Sequence, residues 1–169
     1  TISEYALKFV GRPYVWGGDG SGKCGGGFDC SGLVLECLWA FGIYDGSDTT
    51  AQGLHKALSA KGWREVPRGL ENAGDVLFFG KDAAHITHTA LAIGDGLMVE
   101  AGGGGSKCKT PATSTGMVRV RPIAWRDNLV AALREPLCCA VRCSSHSLSS
   151  RVLFYSTPRT GADDSPHSP

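Results

Sequence analysis

One cysteine constrains this chain more than any other residue. Cys30 closes a glycine-rich stretch, in Gly27-Phe28-Asp29-Cys30-Ser31-Gly32, and the apolar run Leu33-Val34-Leu35-Glu36-Cys37-Leu38-Trp39-Ala40-Phe41 follows at once. Such a run reads as a buried helix that opens near the cysteine. At a helix N-terminus, unpaired backbone N–H groups and the positive end of the peptide dipoles favour thiolate over thiol. Further along, His88 opens a second apolar stretch, Thr89-Ala90-Leu91-Ala92-Ile93, and is available as a base. A cysteine on a helix start and a histidine on a strand are the minimal parts of a cysteine hydrolase.

Length and charge narrow the alternatives. The 169 residues fit one domain with a tail, long enough to bury a core without metals or disulfides. With 17 basic and 16 acidic residues and no basic block, nucleic-acid and membrane-surface binding are disfavoured. No apolar run approaches the ~20 residues that span a bilayer. The opening Thr1-Ile2-Ser3-Glu4 has neither a basic n-region nor an initiator methionine, so no signal peptide is read and an excised or processed piece is expected.

Seven cysteines is an odd number, which leaves at least one thiol free or paired with another molecule, and Cys30 is the natural candidate. Cys37 lies two helical turns on, ~10 Å away and too far to bridge to Cys30, and reads as a buried structural thiol. Cys24 and Cys108 sit in glycine-rich loops, while Cys138, Cys139 and Cys143 crowd the C-terminal region. No paired Cys-x-x-Cys sets recur at zinc spacing, so neither metal nor cofactor is expected.

The pattern along the chain predicts a short helix from Ile2 to Val10, a brief extended Tyr14-Val15-Trp16, and the Cys30 helix running to about Phe41. A third helix, capped by Asp48 or Thr49, is predicted through Leu58. Strands follow at Asp75–Phe79, His88–Ile93, Leu97–Ala101 and Met117–Arg121, the middle two joined by a Gly94-Asp95-Gly96 hairpin. Helices first and then an antiparallel sheet argue for an α+β fold. Residues 1–135 form the expected domain. The Ser-, Pro- and Cys-rich segment from Pro136 to Pro169 reads as a poorly ordered tail, in which Val152–Tyr155 could instead dock as a strand.

Three separated motifs stand together: Gly11-Arg12-Pro13-Tyr14-Val15-Trp16-Gly17-Gly18, then Phe28-Asp29-Cys30-Ser31-Gly32-Leu33-Val34, then His88 with the Gly94-Asp95-Gly96 hairpin. Thr49-Thr50-Ala51-Gln52 and Ala73-Gly74-Asp75-Val76-Leu77-Phe78-Phe79 lie between them. In this order they closely resemble the NlpC family of bacterial cell-wall cysteine peptidases, over roughly Ile2 to Pro136. The resemblance implies a papain-like fold, with N-terminal helices on an antiparallel sheet of about four to six strands. It also implies hydrolysis of amide bonds in peptidoglycan stem peptides, commonly between D-glutamate and a diamino acid, by a monomer that is extracellular, periplasmic or virion-associated.

By that resemblance Cys30 is the nucleophile and His88 the base. The third polar residue, twelve positions after the histidine, is Glu100, where many relatives carry histidine. With Gly94-Asp95-Gly96 as a three-residue loop, His88 faces Gly102 and Glu100 is its same-face diagonal neighbour. Tyr14, Asp29 and Ser31 match positions that line the substrate cleft, Asp29 holding a free amino group and Tyr14 helping to bind an oxyanion. An amidase or acyltransferase on the same scaffold, or an inactive binding or virion module, shares the pattern.

Plainer roles stand beside these. Asp29 equally serves as an N-cap, Glu100 as an exposed strand residue, and Tyr14 and Trp16 as core aromatics. His85 competes with His88 but points to the opposite face of a continuous strand, and His55 reads as a surface residue. Gly17 followed by Gly22-Lys23-Cys24 nearly spells a phosphate-binding loop, yet Cys24 replaces the required hydroxyl and no helix starts there.

Overall fold

The structure is a computed structural model that describes residues 1–136. The expectations for the tail beyond Pro136, for residues 152–155 and for Cys138, Cys139 and Cys143 lie outside the described residues.

Helix α1 (Ile2–Leu7) opens with a capping box, Glu4 N–H donating to Thr1 Oγ1 at 3.2 Å. It stops three residues short of the expected Val10. The chain tightens into i→i−3 bonds, then turns at Gly11 (φ +89°), a backbone shape that suits glycine. The following segment runs along the sheet: Gly11 N–H donates to Val118 O at 2.9 Å, and Tyr14 N–H to Gly116 O at 2.9 Å.

Helix α2 (Cys30–Ala40) is apolar on nearly every side, as a central helix must be. Leu33, Val34, Leu35, Cys37 and Leu38 are all buried. Helix α3 (Ala51–Ala60) starts at Thr50, whose side chain accepts from Gly53 N–H, one residue later than the expected cap. It buries Ala51, Leu54 and Leu58 along one stripe.

The sheet contains β1 (Arg64–Glu65), β2 (Val76–Gly80), β3 (Ile86–Gly94), β4 (Leu97–Gly102), β5 (Met117–Pro122) and β6 (Leu129–Arg134). Its order is β1-β6-β2-β3-β4-β5 with every pairing antiparallel, which gives the expected α+β architecture. One face, with Val76, Phe78, Leu91, Val99 and Ala101, packs against the helices. The other carries a second buried apolar cluster of Leu77, Phe79, Ala90, Ala92 and Met98 under Ile123.

Two strands escaped the sequence reading. Arg64–Glu65 is too short to show a period. Leu129-Val130-Ala131-Ala132-Leu133 does not alternate, because β6 lies inside the sheet, half-buried at its start and fully buried at Ala132 and Leu133.

The hairpin also differs in detail. Gly94 pairs with Leu97, so the loop is the two residues Asp95 (φ 52°) and Gly96 (φ 69°), both left-handed as a type I′ turn requires. A bulge at Ile93 absorbs the extra residue, and the body of the ladder keeps the expected register, with Leu91 opposite Val99.

The interior strand β6 is tied to the start of β2 by an ion pair between half-buried Arg134 and buried Asp75. Arg134 Nε and Nη2 donate to the two oxygens of Asp75, each at 2.8 Å, and Asp75 is 1% exposed. Arg134→Ala leaves that carboxylate buried without its fork. It is expected to lower unfolding free energy by about 1–3 kcal/mol, read from denaturant titration.

Candidate active site

The start of α2 is fixed by one carboxylate. Asp29 is the N-cap: its Oδ1 accepts from Gly32 N–H at 2.8 Å and from the Ser31 hydroxyl at 3.1 Å. Its Oδ2 accepts from Gly17 N–H at 2.9 Å, which ties the glycine loop to the helix. Asp29 N–H in turn donates to Gly18 O at 2.9 Å. A β-carbon at Gly32 would collide with that same Gly18 carbonyl, so the Asp-Cys-Ser-Gly order reflects how closely loop and helix approach. The turn at Gly22–Cys24 ends in left-handed Gly25 and is no helix start.

Cys30 is the first residue of α2 and is partly exposed. Its thiol is pushed up to about 11, first by burial and then by the negative charge of Asp29. Backbone N–H groups of Thr89, Ser31 and Cys30 pull the other way without prevailing. The thiolate expected from the helix position is therefore not the resting form, because desolvation and a neighbouring anion outweigh the helix field. The Thr89 contact also places the sulfur against β3, at the residue after His88.

His88 lies on the sheet face away from the helices, its ring 5.7 Å from that of Phe79. Its Nε2 is 2.8 Å from Glu100 Oε2. A carboxylate acceptor there puts the ring proton on Nε2 and leaves Nδ1 with a lone pair. Burial, chiefly, holds the His88 pKa below 6.5; the Arg126 charge adds to this, while Glu100 and Asp29 oppose it. The resting pair is thus a neutral thiol and a neutral imidazole, and no hydrogen bond joins them among the described residues.

Glu100 is 1% exposed rather than a solvated strand residue. Burial alone would raise its pKa, but hydrogen bonds from His88 and Arg126, with the Arg126 charge, hold it at about 2. Arg126 Nε donates to the same Oε2 at 2.7 Å. Arg121 Nε lies 3.1 Å from Oε1, close enough to pair in charge but misaligned for a hydrogen bond, and its guanidinium stacks 4.0 Å over Trp125. The sequence reading missed both arginines. The alternation of Val118, Arg119, Val120 and Arg121 hinted at a charged face, whereas nothing marked Arg126.

Cys30, His88 and Arg126 line one cleft of about 610 Å³, bordered also by Tyr14, Trp16, Asp29, Ser31 and Gly102 to Gly105. Tyr14 is buried against Gly104, and burial and the nearby Cys30 and Asp29 raise its pKa, so its phenol keeps its proton. Trp16 is 50% exposed at the rim and is no core aromatic. His85 stands outside, exposed and 2.7 Å from Asp82, and the His55 ring packs edge-on to Phe78. Gln52 clamps the start of β3 to α3: its Oε1 accepts from Ile86 N–H at 2.8 Å and its Nε2 donates to Ala83 O at 3.0 Å. Among the described residues no three His, Cys, Asp or Glu side chains gather as metal ligands, and no helix is long and apolar enough to cross a membrane.

Comparison with known proteins agrees with this fold. The profile of the NlpC/P60 family matches residues 11–129. The bifunctional muramidase/DL-endopeptidase CwlT of Bacillus subtilis is 33% identical over 133 residues, covering 78% of this chain and 35% of that protein. The gamma-D-glutamyl-L-lysine dipeptidyl-peptidase of the same organism is 38% identical over 102 residues, covering 58% of this chain and 30% of the relative. The crystal structure of the NlpC/p60 domain of the peptidoglycan hydrolase SagA superposes with a TM-score of 0.55 at 28% identity, covering 79% of this chain and 95% of that one. The chain spans only 22–35% of the length of the first curated relatives it matches.

Reactivity of the sulfur should follow the imidazole. Because His88 sits below its ordinary value, the neutral ring is present above that midpoint and lost beneath it. Alkylation of Cys30 by iodoacetamide is expected to rise with a midpoint below pH 6.5. In His88→Ala that midpoint should move up toward the thiol's own value of about 11, as followed by mass spectrometry of the Cys30 peptide.

Proposed function

The chain belongs to the NlpC/P60 family, and from that premise we propose that it is a cysteine peptidase that hydrolyses the amide bond between D-glutamate and a diamino acid in peptidoglycan stem peptides. The observation that carries the reading is the 2.8 Å contact of buried Glu100 with Nε2 of His88, which lines the same cleft as Cys30. All three groups come from one copy of the chain.

In this reaction His88 Nδ1 takes the Cys30 proton as sulfur attacks the scissile carbonyl. The ionised Glu100 orients the ring and stabilises the imidazolium without accepting its proton, since its own pKa is near 2. The developing oxyanion draws on the backbone N–H of Cys30 and the protonated Tyr14 phenol. The imidazolium then protonates the leaving amine, and water attacks the thioester with His88 again as base. Asp29, already the helix cap, offers its remaining acceptor capacity to a free amino group of the stem peptide. The reading places the work at the cell wall.

Two measurements decide it. Purified peptidoglycan incubated with the protein should release stem-peptide fragments cut after D-glutamate, identified by mass, and Cys30→Ala should release none. Equal release by both proteins would remove Cys30 as nucleophile, while a freed sugar-lactyl group or a transferred acyl group would mark an amidase or an acyltransferase. Glu100→Gln is expected to lower kcat roughly a hundredfold or more, the scale seen when an orienting carboxylate loses its charge.

A further inference from the structure

We propose that Arg126 is a specificity determinant that receives a substrate carboxylate on the leaving-group side of the cleft, so that the chain prefers a diamino acid bearing a free side-chain carboxylate over lysine or the carboxamide. This deepens the peptidase reading above and rests on it.

The argument begins with an arginine whose fork is half used. Arg126 Nε is committed to Glu100 at 2.7 Å, yet neither terminal nitrogen of its guanidinium has a partner among the described residues. The side chain lines the cleft and is 27% exposed, with Nη2 lying beside Gly102 at the cleft border. A planar guanidinium with both terminal nitrogens unused presents an end-on pair of N–H donors shaped for a carboxylate. The face of Phe79, 5.7 Å from the guanidinium carbon, helps fix its plane. Gly102 leaves the room: a β-carbon there would crowd Arg126 Nη2 and Glu100 Oε1.

Position gives the side of the cleft. His88 delivers a proton to the leaving amine, so the residue carrying that amine lies beside His88. Arg126 shares Glu100 Oε2 with His88 and therefore borders the same side. Asp29 borders the cleft at the Cys30 end. The cleft is thus anionic toward the acyl portion and cationic toward the leaving portion. A stem peptide with a free amine before the cut and a carboxylate after it matches that order. Arg121, beside Oε1, keeps a second positive charge on Glu100 when Arg126 also binds substrate.

The test uses three stem tetrapeptides that differ only at the third residue: meso-diaminopimelate, its side-chain carboxamide, and lysine. The protein should cut the free-carboxylate peptide with kcat/KM roughly tenfold or more above the other two, the difference lying in KM, as for one charge-assisted hydrogen-bonded contact. Arg126→Gln should erase the preference and Arg126→Lys should retain part of it. Equal use of all three peptides by the unaltered protein overturns the inference. So does an Arg126→Gln variant that loses kcat by one factor on every peptide, which marks a residue that only positions Glu100. Cleavage of none of them would sink the peptidase reading instead. Calorimetric binding to Cys30→Ala then decides the inference alone: tighter binding of the free-carboxylate peptide, lost when Arg126→Gln is added, supports it, and equal binding of all three ends it.

Discussion

A carboxylate withdrawn from water dominates this molecule. Glu100 lies on a sheet face otherwise made of Phe79, Ala90 and Met98, where an unpaired charge would be costly. It stays ionised because an imidazole and two guanidiniums converge on it. Those partners come from β3, β5 and the turn at Ile123–Trp125, so the electrostatic requirement of one side chain sets the relation of three elements. The apolar cluster alone would tolerate small shifts between them. The carboxylate does not, since a broken buried pair leaves charges with nowhere to go.

The opposite wall of the cleft is set by hydrogen bonding and close approach. Asp29 gathers three donors from the loop and the helix start, and Gly32 allows Gly18 to lie against the first turn. This geometry seats the sulfur in a dry place beside an anion, so it keeps its proton at rest. In the proposed reaction the helix field acts on the charge that forms during attack rather than on a standing thiolate. Catalytic power of this kind comes from donors aimed in advance at a charge not yet present.

How much of this was legible follows from the range of each interaction. The α2 start and the hairpin are local, and residue order points to them through the apolar period and an Asp-Gly turn; the His88–Glu100 relation came from the family resemblance, with pleat parity allowing it. Strand β6 was hidden because its Val-Ala-Ala core carries no alternation and becomes a strand only between β1 and β2. The end of α1 was misjudged because pairing of Gly11 and Arg12 with Val118, over a hundred positions away, overrides local helix preference. The charge state of Cys30 was misread for a similar reason. A helix start is visible in sequence, whereas burial depth is not. Arg126 sits in a loop with no period at all, and only the folded chain brings it to Glu100.

Placement of β6 in the interior of the sheet has a consequence for how the molecule comes into being. During synthesis β2 emerges well before the neighbour that fills its flank, and the arginines that surround Glu100 emerge in the same late stretch. A nascent chain ending before Leu129 has a half-built sheet with an unfilled hydrogen-bonding edge. Long-range closure of this sort slows folding and leaves an adhesive flank in the interim. Closure of the sheet between β1 and β2 therefore waits for the last strand of the domain.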